Sequence, residues 1–166
     1  GLSDCATTAT SNIGIGANAV DSITTGDYNI GVGDSALTGV TSGGYNVALG
    51  HEAGTAITTG TNNIAVGYRS QYATTTGAVN TAVGYESMIT NTEGDYNVAI
   101  GHQALYANTT ADNNVAVGLQ ALKANTTGTN NVAVGGNALD VGANIGNHSI
   151  YFSNYFKKVF SFEPHC

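Results

Sequence analysis

Apolar and polar residues follow a five-residue motif that recurs along this chain at a fixed interval. The motif is Asn, an aliphatic residue, Ala or Gly, a second aliphatic residue and Gly, as in residues 114–118. Its copies begin 17 residues apart, at Asn12, Asn29, Asn46, Asn63, Asn80, Asn97, Asn114 and Asn131, and only Thr81 departs from the aliphatic residue at the second position. A repeat without insertion or deletion indicates that each unit stacks on its own copies, as in a solenoid.

We number the positions of the unit 1 to 17 from that Asn. Positions 2 to 4 predict a short strand, because aliphatic residues flank a small one and a turn glycine follows at position 5. The turn glycines are Gly16, Gly33, Gly50, Gly67, Gly84, Gly101, Gly118 and Gly135. Residues of the Asn-Thr-Thr-Gly type at positions 12 to 15 predict a second turn. Positions 8 and 9 predict a second, weaker extended segment between the two turns.

These elements predict an all-β fold, a β-solenoid (parallel β-roll) of eight 17-residue coils over residues 12–147. Residues 1–11 are a Thr- and Ser-rich lead-in. Since the sequence begins with Gly rather than Met, we expect a processed or excised segment. Residues 148–166 form a non-repeat aromatic segment that holds all four Phe of the chain. This segment is either a cap on the last coil or an association segment in which Phe152, Phe156 and Phe160 dock on a neighbouring subunit.

Both faces of the repeated strand are apolar, because positions 2 and 4 point one way and position 3 the other. We expect both faces to be buried, with positions 2 and 4 lining the coil interior. The small residues at position 3 would then form a subunit interface, comprising Ala48, Ala65, Ala82, Ala99, Ala116 and Ala133. The alternative is a flattened coil whose own second segment covers the alanine face.

Composition and charge exclude several classes of partner. Only 9% of residues are charged, against roughly 25% in an average soluble domain. A net charge of −7 argues against nucleic acid and anionic lipid. No apolar run approaches the roughly 20 residues of a membrane-spanning helix.

Candidate chemical sites are few. Two histidines, His51 and His102, occupy position 6, where a column of surface residues is expected rather than a metal site. Gly26-Asp27 and Gly94-Asp95 resemble calcium-binding repeats, but the Asp does not recur in each unit. No Ser-His-Asp or paired-carboxylate spacing stands out, so neither an enzyme activity nor a cofactor is predicted.

The asparagine at position 1 has a structural interpretation. Repeated in every unit, it would stack amide on amide along the rod, as Asn ladders do in stacked β structure. Three other asparagines match the N-glycosylation pattern and are candidate acceptors, namely Asn108, Asn125 and Asn147.

The two cysteines, Cys5 and Cys166, lie at opposite ends of the repeat array. Eight rungs at about 4.8 Å separate these ends by roughly 38 Å, while a disulfide needs Cα atoms within about 7 Å. An intersubunit bond that joins rods head to tail is favoured, over an intrachain bond to a tail that doubles back and over free thiols.

The units resemble the head repeats of trimeric autotransporter adhesins and, still more, the repeats in the shafts of phage tail fibres. The resemblance rests on Asn-Val-Ala-Val-Gly, Ala-Leu and Asn-Thr-Thr-Gly, and covers residues 12–139. It implies homotrimers of parallel β-rolls at a cell or virion surface. The repeat is longer than in typical adhesin heads, and the sequence shows neither a coiled-coil stalk nor a membrane anchor.

The sequence therefore predicts an extracellular, non-enzymatic structural subunit of a fibre or adhesin that assembles with copies of itself, as a homotrimer, a head-to-tail filament or both. Variable residues at positions 6 and 7 could meet a glycan or a cell-surface receptor, namely His51, Glu52, Tyr68, Arg69, Tyr85 and Glu86. The alternative function is an ice- or crystal-surface binder. It would use the evenly spaced residues at position 13, which are Thr24, Thr41, Thr58, Thr75, Thr92, Thr109 and Thr126.

Overall fold

The computed structural model describes residues 8–138, and this part of the chain contains strands and turns without a helix. The strands are β1 (Ile13–Ile15), β2 (Ile30–Val32), β3 (Val47–Leu49), β4 (Ile64–Val66), β5 (Thr81–Val83), β6 (Val98–Ile100), β7 (Val115–Val117) and β8 (Val132–Val134). Each strand covers positions 2 to 4 of its unit. Over the same residues there is no helix of the length and apolarity needed to cross a membrane.

All strands lie in one parallel sheet in the order β1 to β8, so each strand pairs with its neighbours along the chain. The register joins equal positions, as in Ile13 with Ile30 and Ala48 with Ala65. We call each unit a coil and number the coils 1 to 8 from residue 12. The predicted all-β solenoid with a 17-residue spacing is confirmed for the described residues.

The second side of each coil differs from the prediction. It is hydrogen-bonded to the next coil, for example from Leu37 N to Ala53 O at 3.0 Å and from Thr41 N to Thr58 O at 3.0 Å. It is not extended, however, because positions 7 and 9 have left-handed backbone, as at Ser35 with φ 57° and Leu37 with φ 53°. The expected second extended segment is thus wrong, and a winding of turns replaces it.

The glycine at position 5 is required by both its backbone angle and its neighbours. At Gly118 φ is 133°, in a region that side-chain-bearing residues rarely adopt. A Cβ placed there would lie 2.5 Å from the carbonyl oxygen of Gly135 in the next coil. The strand can therefore turn sharply at this position and keep neighbouring coils close together.

The two faces of the strand are the reverse of the main expectation. The alanines at position 3 point into the coil and are enclosed by their own chain, with Ala48, Ala65, Ala82, Ala99 and Ala116 fully buried and Ala133 nearly so. Positions 2 and 4 point outward. The expectation that the alanine column is a subunit interface is wrong, and the alternative, a coil that covers its own alanine face, describes the structure.

The narrow interior explains this arrangement. In coil 2, where position 3 is Gly31, an added Cβ would already lie 2.7 Å from Cγ2 of Val20 and 3.0 Å from the carbonyl oxygen of Ala36. Position 3 therefore has little room beyond a methyl group. Larger aliphatic residues of the strand must point outward, and the interior is completed by positions 8, 9 and 12 of the opposite side.

The buried apolar residues form two clusters along the rod. One runs from Val20 to Ala65 and the other from Ala82 to Ala138. They are separated in coil 4, where two buried polar side chains, Gln71 and Thr74, occupy interior positions 9 and 12. The sheet continues through coil 4 without a break, so only the packing of the interior changes there.

Candidate functional site: the strand face and the ring column

The outward side of the sheet is an apolar surface, which we call the strand face. It consists of positions 2 and 4 in every coil, and Thr81 is its one polar member among the described residues. Its side chains are half-buried or exposed, with the largest exposures at the ends, 59% at Ile15 and 60% at Val134. Eight strands at about 4.8 Å and three residues at about 3.3 Å make this face roughly 34 Å long and 10 Å wide.

Two flanking columns extend this surface. Every exposed large hydrophobic residue of the described chain belongs to positions 2 and 4 or to the adjoining positions 17 and 6. The members are Ile13, Ile15, Tyr28, Tyr45, Leu49, Ile64, Val79, Tyr85, Tyr96, Ile100, Leu119, Val132 and Val134. These positions follow one another around the coil, separated only by Asn at position 1, the buried residue at position 3 and Gly at position 5. The exposed hydrophobic residues thus lie on one side of the rod.

Position 6 brings four rings into one stack, which we call the ring column: His51, Tyr68, Tyr85 and His102. Successive ring centroids are 5.6, 5.2 and 5.0 Å apart, and the interplanar angles are 18°, 25° and 8°. The in-register stacking of coils places these rings above one another. The predicted surface residues of coils 3 to 5 are therefore brought together by the fold.

A row of polar side chains at position 7 runs beside the ring column. The guanidinium of Arg69 donates from Nε to Glu52 Oε2, and its Cζ lies 5.2 Å from the centre of the Tyr68 ring. Further along, Gln103 Nε2 donates to Glu86 Oε2 at 2.9 Å, and Gln120 Nε2 donates to Gln103 Oε1 at 3.1 Å. These bonds link coil 3 to coil 4 and coils 5 to 7 on the outside of the rod.

The charges in this row change three pKa values. The hydrogen bond from Arg69 holds the pKa of the Glu52 carboxyl below its ordinary value, and the same bond raises the pKa of Arg69. The negative charge of Glu86 is the largest cause that raises the pKa of Tyr85, with burial as the next. Near neutral pH the polar row therefore holds the Glu52 carboxylate and the Arg69 guanidinium, and Tyr85 beside it is a neutral phenol.

The stacking limits what the ring column can bind. A sugar docks on an aromatic residue through the ring face, but each inner face here is covered by the next ring. The ring edges remain available, together with the carboxylate and amide groups of position 7. At the end of the stack, His51 Nε2 lies 3.6 Å from Asp34 Oδ2, and both side chains are about half exposed.

The asparagines of position 1 form a buried ladder. Backbone N of Asn46 donates to Oδ1 of Asn29 at 3.1 Å, and Nδ2 of Asn46 donates to the same oxygen at 3.0 Å. That Nδ2 also donates to the carbonyl of Gly60 in its own coil at 2.9 Å. From Asn29 to Asn97 each of these residues thus ties its coil to the previous one and closes its own turn, whereas the amide nitrogen of Asn114 has no partner within residues 8–138. The ladder is structural, and its members from Asn29 to Asn131 are buried.

A second ladder at position 12 was missed by the sequence analysis. Asn108 Nδ2 donates to Asn91 Oδ1 at 2.8 Å, and Asn125 Nδ2 donates to Asn108 Oδ1 at 3.2 Å. Asn91 Nδ2 donates to the carbonyl of Gly94 at 3.0 Å, and the amide of Asn80 donates to the same carbonyl at 2.7 Å. The signal was present in the sequence, because Asn recurs at position 12 in three successive coils.

This ladder bears on the predicted glycosylation sites. Asn108 is fully buried, and its amide nitrogen donates to Asn91 and, at 3.0 Å, to the carbonyl of Ala111. Asn125 is half-buried and donates to Asn108 and to the carbonyl of Gly128. Both amides are engaged in the folded chain, so neither fits a glycan acceptor. The third acceptor, Asn147, lies outside the described residues, as do Cys5, Cys166, Phe152, Phe156 and Phe160.

The threonines at position 13 use their hydroxyl groups within the rod. Thr41 Oγ1 donates to Thr58 O at 3.2 Å, and Thr58 Oγ1 donates to Thr75 O at 3.1 Å. The same bond recurs from Thr24 to Thr109. Because each hydroxyl proton is directed along the rod axis to a carbonyl, this rank offers few free donors to ice, and no observation favours the alternative function.

The aspartates considered for calcium accept hydrogen bonds from the backbone. Asp27 Oδ1 accepts from Thr10 N at 2.6 Å, which joins the lead-in to coil 1, and Asp95 Oδ1 accepts from Ala78 N at 2.7 Å. Within residues 8–138, no three His, Cys, Asp or Glu side chains are grouped so that they could hold a metal ion.

Comparison of the chain with models of protein families, with curated proteins and with solved structures finds no match.

Proposed function

We propose that this chain is a non-enzymatic structural subunit of an extracellular fibre or adhesin, a stiff rod that associates with copies of itself through the strand face. One observation carries the proposal: the exposed large hydrophobic residues of the described chain lie on one side of the rod, on the strand face and its two flanks. A sheet continuously hydrogen-bonded from β1 to β8 supplies the stiffness.

The size of the surface supports association. Its plan area is roughly 340 Å² for the strand face alone, which is already within the range of the largest patch on an ordinary monomer, about 300–600 Å². The flanks at positions 17 and 6 enlarge it further. Apolar patches of this size are often functional, and larger ones mark interaction sites.

A second copy of this chain is the partner that fits best. The strand face and its flanks are columns whose members recur once per coil. An identical rod placed alongside therefore presents its own columns at the same axial spacing. A pair of rods would cover the strand face, and three rods around one axis would give each rod two neighbours along that face while positions 17 and 6 stay at its accessible edges. We therefore propose a homotrimer, in agreement with the resemblance to adhesin heads and tail-fibre shafts. If the assembled rod also contacts a receptor, the ring edges and the polar row at position 7 are the groups available to it.

The molar mass of the protein tests this proposal. Light scattering behind size-exclusion chromatography should give three chains for the wild type over a wide range of dilution. Val83→Lys places a charge in the middle of the strand face and should shift the mass to one chain, because burying an unpaired charge costs several kcal/mol. Far-UV circular dichroism should still show β structure in this variant.

The matched control is Thr76→Lys, which adds the same charge at an exposed position 14. It should keep the wild-type mass. A wild-type protein that elutes as one folded chain at every concentration would contradict self-association. A constant mass of two chains would retain the interface and reject the trimer.

A further inference from the structure

Tyr28 and Tyr45 are the last residues of coils 1 and 2, and their rings stack. The ring centroids are 5.0 Å apart with an interplanar angle of 18°. Both residues are somewhat more than half exposed, with exposed fractions of 51% and 60%. Among the described residues the pair has no further ring neighbour, since position 17 of coil 3 is Asn62.

The geometry points to Tyr28 and Tyr45 as a modification site: a one-electron oxidant of the peroxidase or photo-excited metal-complex class joins them as a dityrosine. Each phenol gives one electron to the oxidant and one proton to water, which leaves two phenoxyl radicals. The radicals form a carbon–carbon bond between ring carbons ortho to the oxygens, and the hydrogens on those carbons move to the oxygens. The product has two hydrogen atoms fewer than the starting chain.

Ring freedom separates this pair from the other stacked pair, Tyr68 and Tyr85. Their centroids are at a similar distance, 5.2 Å, but His51 and His102 cover the two outer faces. Arg69 lies against Tyr68 in addition. Coupling needs the two rings to tilt out of their parallel stack so that the ortho carbons meet. The rings of the ring column have ring neighbours on both sides, whereas Tyr28 and Tyr45 each have one face without a ring neighbour.

The consequence is a covalent tie between coils that needs no cysteine. Apart from the peptide bond between Tyr28 and Asn29, coils 1 and 2 are joined by hydrogen bonds and packing, among them the bond from Tyr45 N to Asp27 O at 3.0 Å. A bond between the two rings joins residues 17 apart in sequence and therefore links one coil to the next at its outer edge.

Peptide mapping of the oxidised full chain tests the site. The protein is illuminated with a ruthenium trisbipyridyl complex and persulfate, and dityrosine is followed by its fluorescence, which no Trp of this chain obscures. Trypsin then cleaves after Arg69 and Lys123, because these are the basic residues of the repeats. A bond between Tyr28 and Tyr45 stays within residues 1–69 and lowers the mass of that peptide by two hydrogens. A bond between Tyr68 and Tyr85 instead joins residues 1–69 to residues 70–123.

The expected result is the internal bond in residues 1–69 as the main intrachain product, with Tyr28 and Tyr45 identified by fragmentation. Either Tyr28→Phe or Tyr45→Phe should reduce it to background, since Phe keeps the stacked ring but lacks the phenol. Tyr96→Phe, at an exposed position 17 without a stacked neighbour, should leave it unchanged. The proposal is overturned if the bond joining the two peptides dominates, if only chain-to-chain products form, or if Tyr96 is oxidised while Tyr28 and Tyr45 are not.

Discussion

Coils 1 to 3 and coils 5 to 7 have the same backbone conformation, but apolar side chains fill one interior column in the first set and amide side chains fill it in the second. Position 12 is apolar in the first three, as Ile23, Val40 and Ile57, and is Asn91, Asn108 and Asn125 in the last three. We call these the apolar coils and the amide coils. Strand pairing, register and the left-handed residues at positions 7 and 9 are the same in both. The backbone therefore does not decide which chemistry fills the column.

The comparison shows that position 12 must hold the same kind of side chain, apolar or amide, in neighbouring coils. A buried Val or Ile contributes about 1.5–3 kcal/mol by leaving water. A buried Asn loses its hydration but gains bonds to the amide of the next coil and to a carbonyl of its own turn, each worth about 0.5–1.5 kcal/mol net. Either solution works when the neighbouring coils adopt it too. A single coil of the wrong kind leaves polar atoms without partners.

Coil 4 shows the cost of the change from one kind to the other. Its position 12 is Thr74, whose buried hydroxyl oxygen has no partner within residues 8–138, and the same holds for Oε1 of Gln71 at position 9. The apolar clusters end on either side of it. On the outside, the ring column runs from His51 in coil 3 to His102 in coil 6 and spans this junction.

The largest effect is expected from an amide placed among the apolar coils. Val40→Asn removes a fully buried apolar side chain and leaves the amide oxygen between Ile23 and Ile57, which offer no donor. The free energy of unfolding should fall by about 3 kcal/mol, from lost burial and an unpaired polar group together. Urea titration measures it. Changing Ile23, Val40 and Ile57 together to Asn should cost clearly less than three times the single change, because the amides then pair. If the triple change costs three times as much as the single change, position 12 does not require matching side chains in neighbouring coils.

The reverse exchange in the amide coils should have a somewhat smaller effect. Asn108→Val removes the middle of the ladder, so Oδ1 of Asn91 and Nδ2 of Asn125 each lose a partner. We expect a loss of about 2 kcal/mol in the free energy of unfolding. Replacement of all three asparagines by Val should be close to neutral in the same titration, since no amide is left unpaired. A triple variant that is less stable than the single one would contradict this expectation.

The sequence predicted what depends on the repeat itself. A strict period of 17 residues fixes stacked coils, and aliphatic residues beside a small one at positions 2 to 4, before Gly, fix the strand. The amide ladder at position 1 follows from the same stacking. These features follow from stacking alone, because each residue then lies next to its copy in the neighbouring coil.

The sequence could not decide which face of the strand is interior. Alternation shows that positions 2 and 4 oppose position 3, but both sets are apolar. Small residues such as Ala48 and Ala99 are equally typical of a narrow interior and of close approach by another chain. The decision depends on the width of the coil, which left-handed residues such as Leu37 and Leu105 set by folding the second side close to the strand. Positive φ at Leu is not expected from its residue type.

A stabilising effect is expected at the junction. Thr74→Val replaces a buried hydroxyl without a partner by a methyl group of similar size, which extends the apolar column of coils 1 to 3 by one coil. The free energy of unfolding should rise by about 1 kcal/mol. Thr90→Val is the matched control, since the single proton of Thr90 Oγ1 has the carbonyl oxygens of Tyr106 and Asn108 within reach, and its removal should destabilise the protein. If Thr74→Val destabilises as well, the hydroxyl has a stabilising role that the contacts do not reveal.

The smallest effect is expected at the outer link between coils 3 and 4, where Arg69 donates to Glu52 across the junction. The pKa of Glu52 is lowered by this bond in the folded chain, so the folded state favours the charged carboxylate. A lowered pKa gives stability that is complete above the ordinary pKa of the carboxyl and is lost as the pH falls through the folded value. Glu52→Gln should therefore lower Tm slightly at pH 7, and the difference from wild type should vanish in acid. Added salt should reduce the difference, because the pair is partly exposed.

Glu93→Gln removes an exposed carboxylate that forms no ion pair within the described residues and should leave Tm unchanged at either pH. An effect of Glu52→Gln that persists in acid would assign the role of Glu52 to packing along the ring column rather than to its charge.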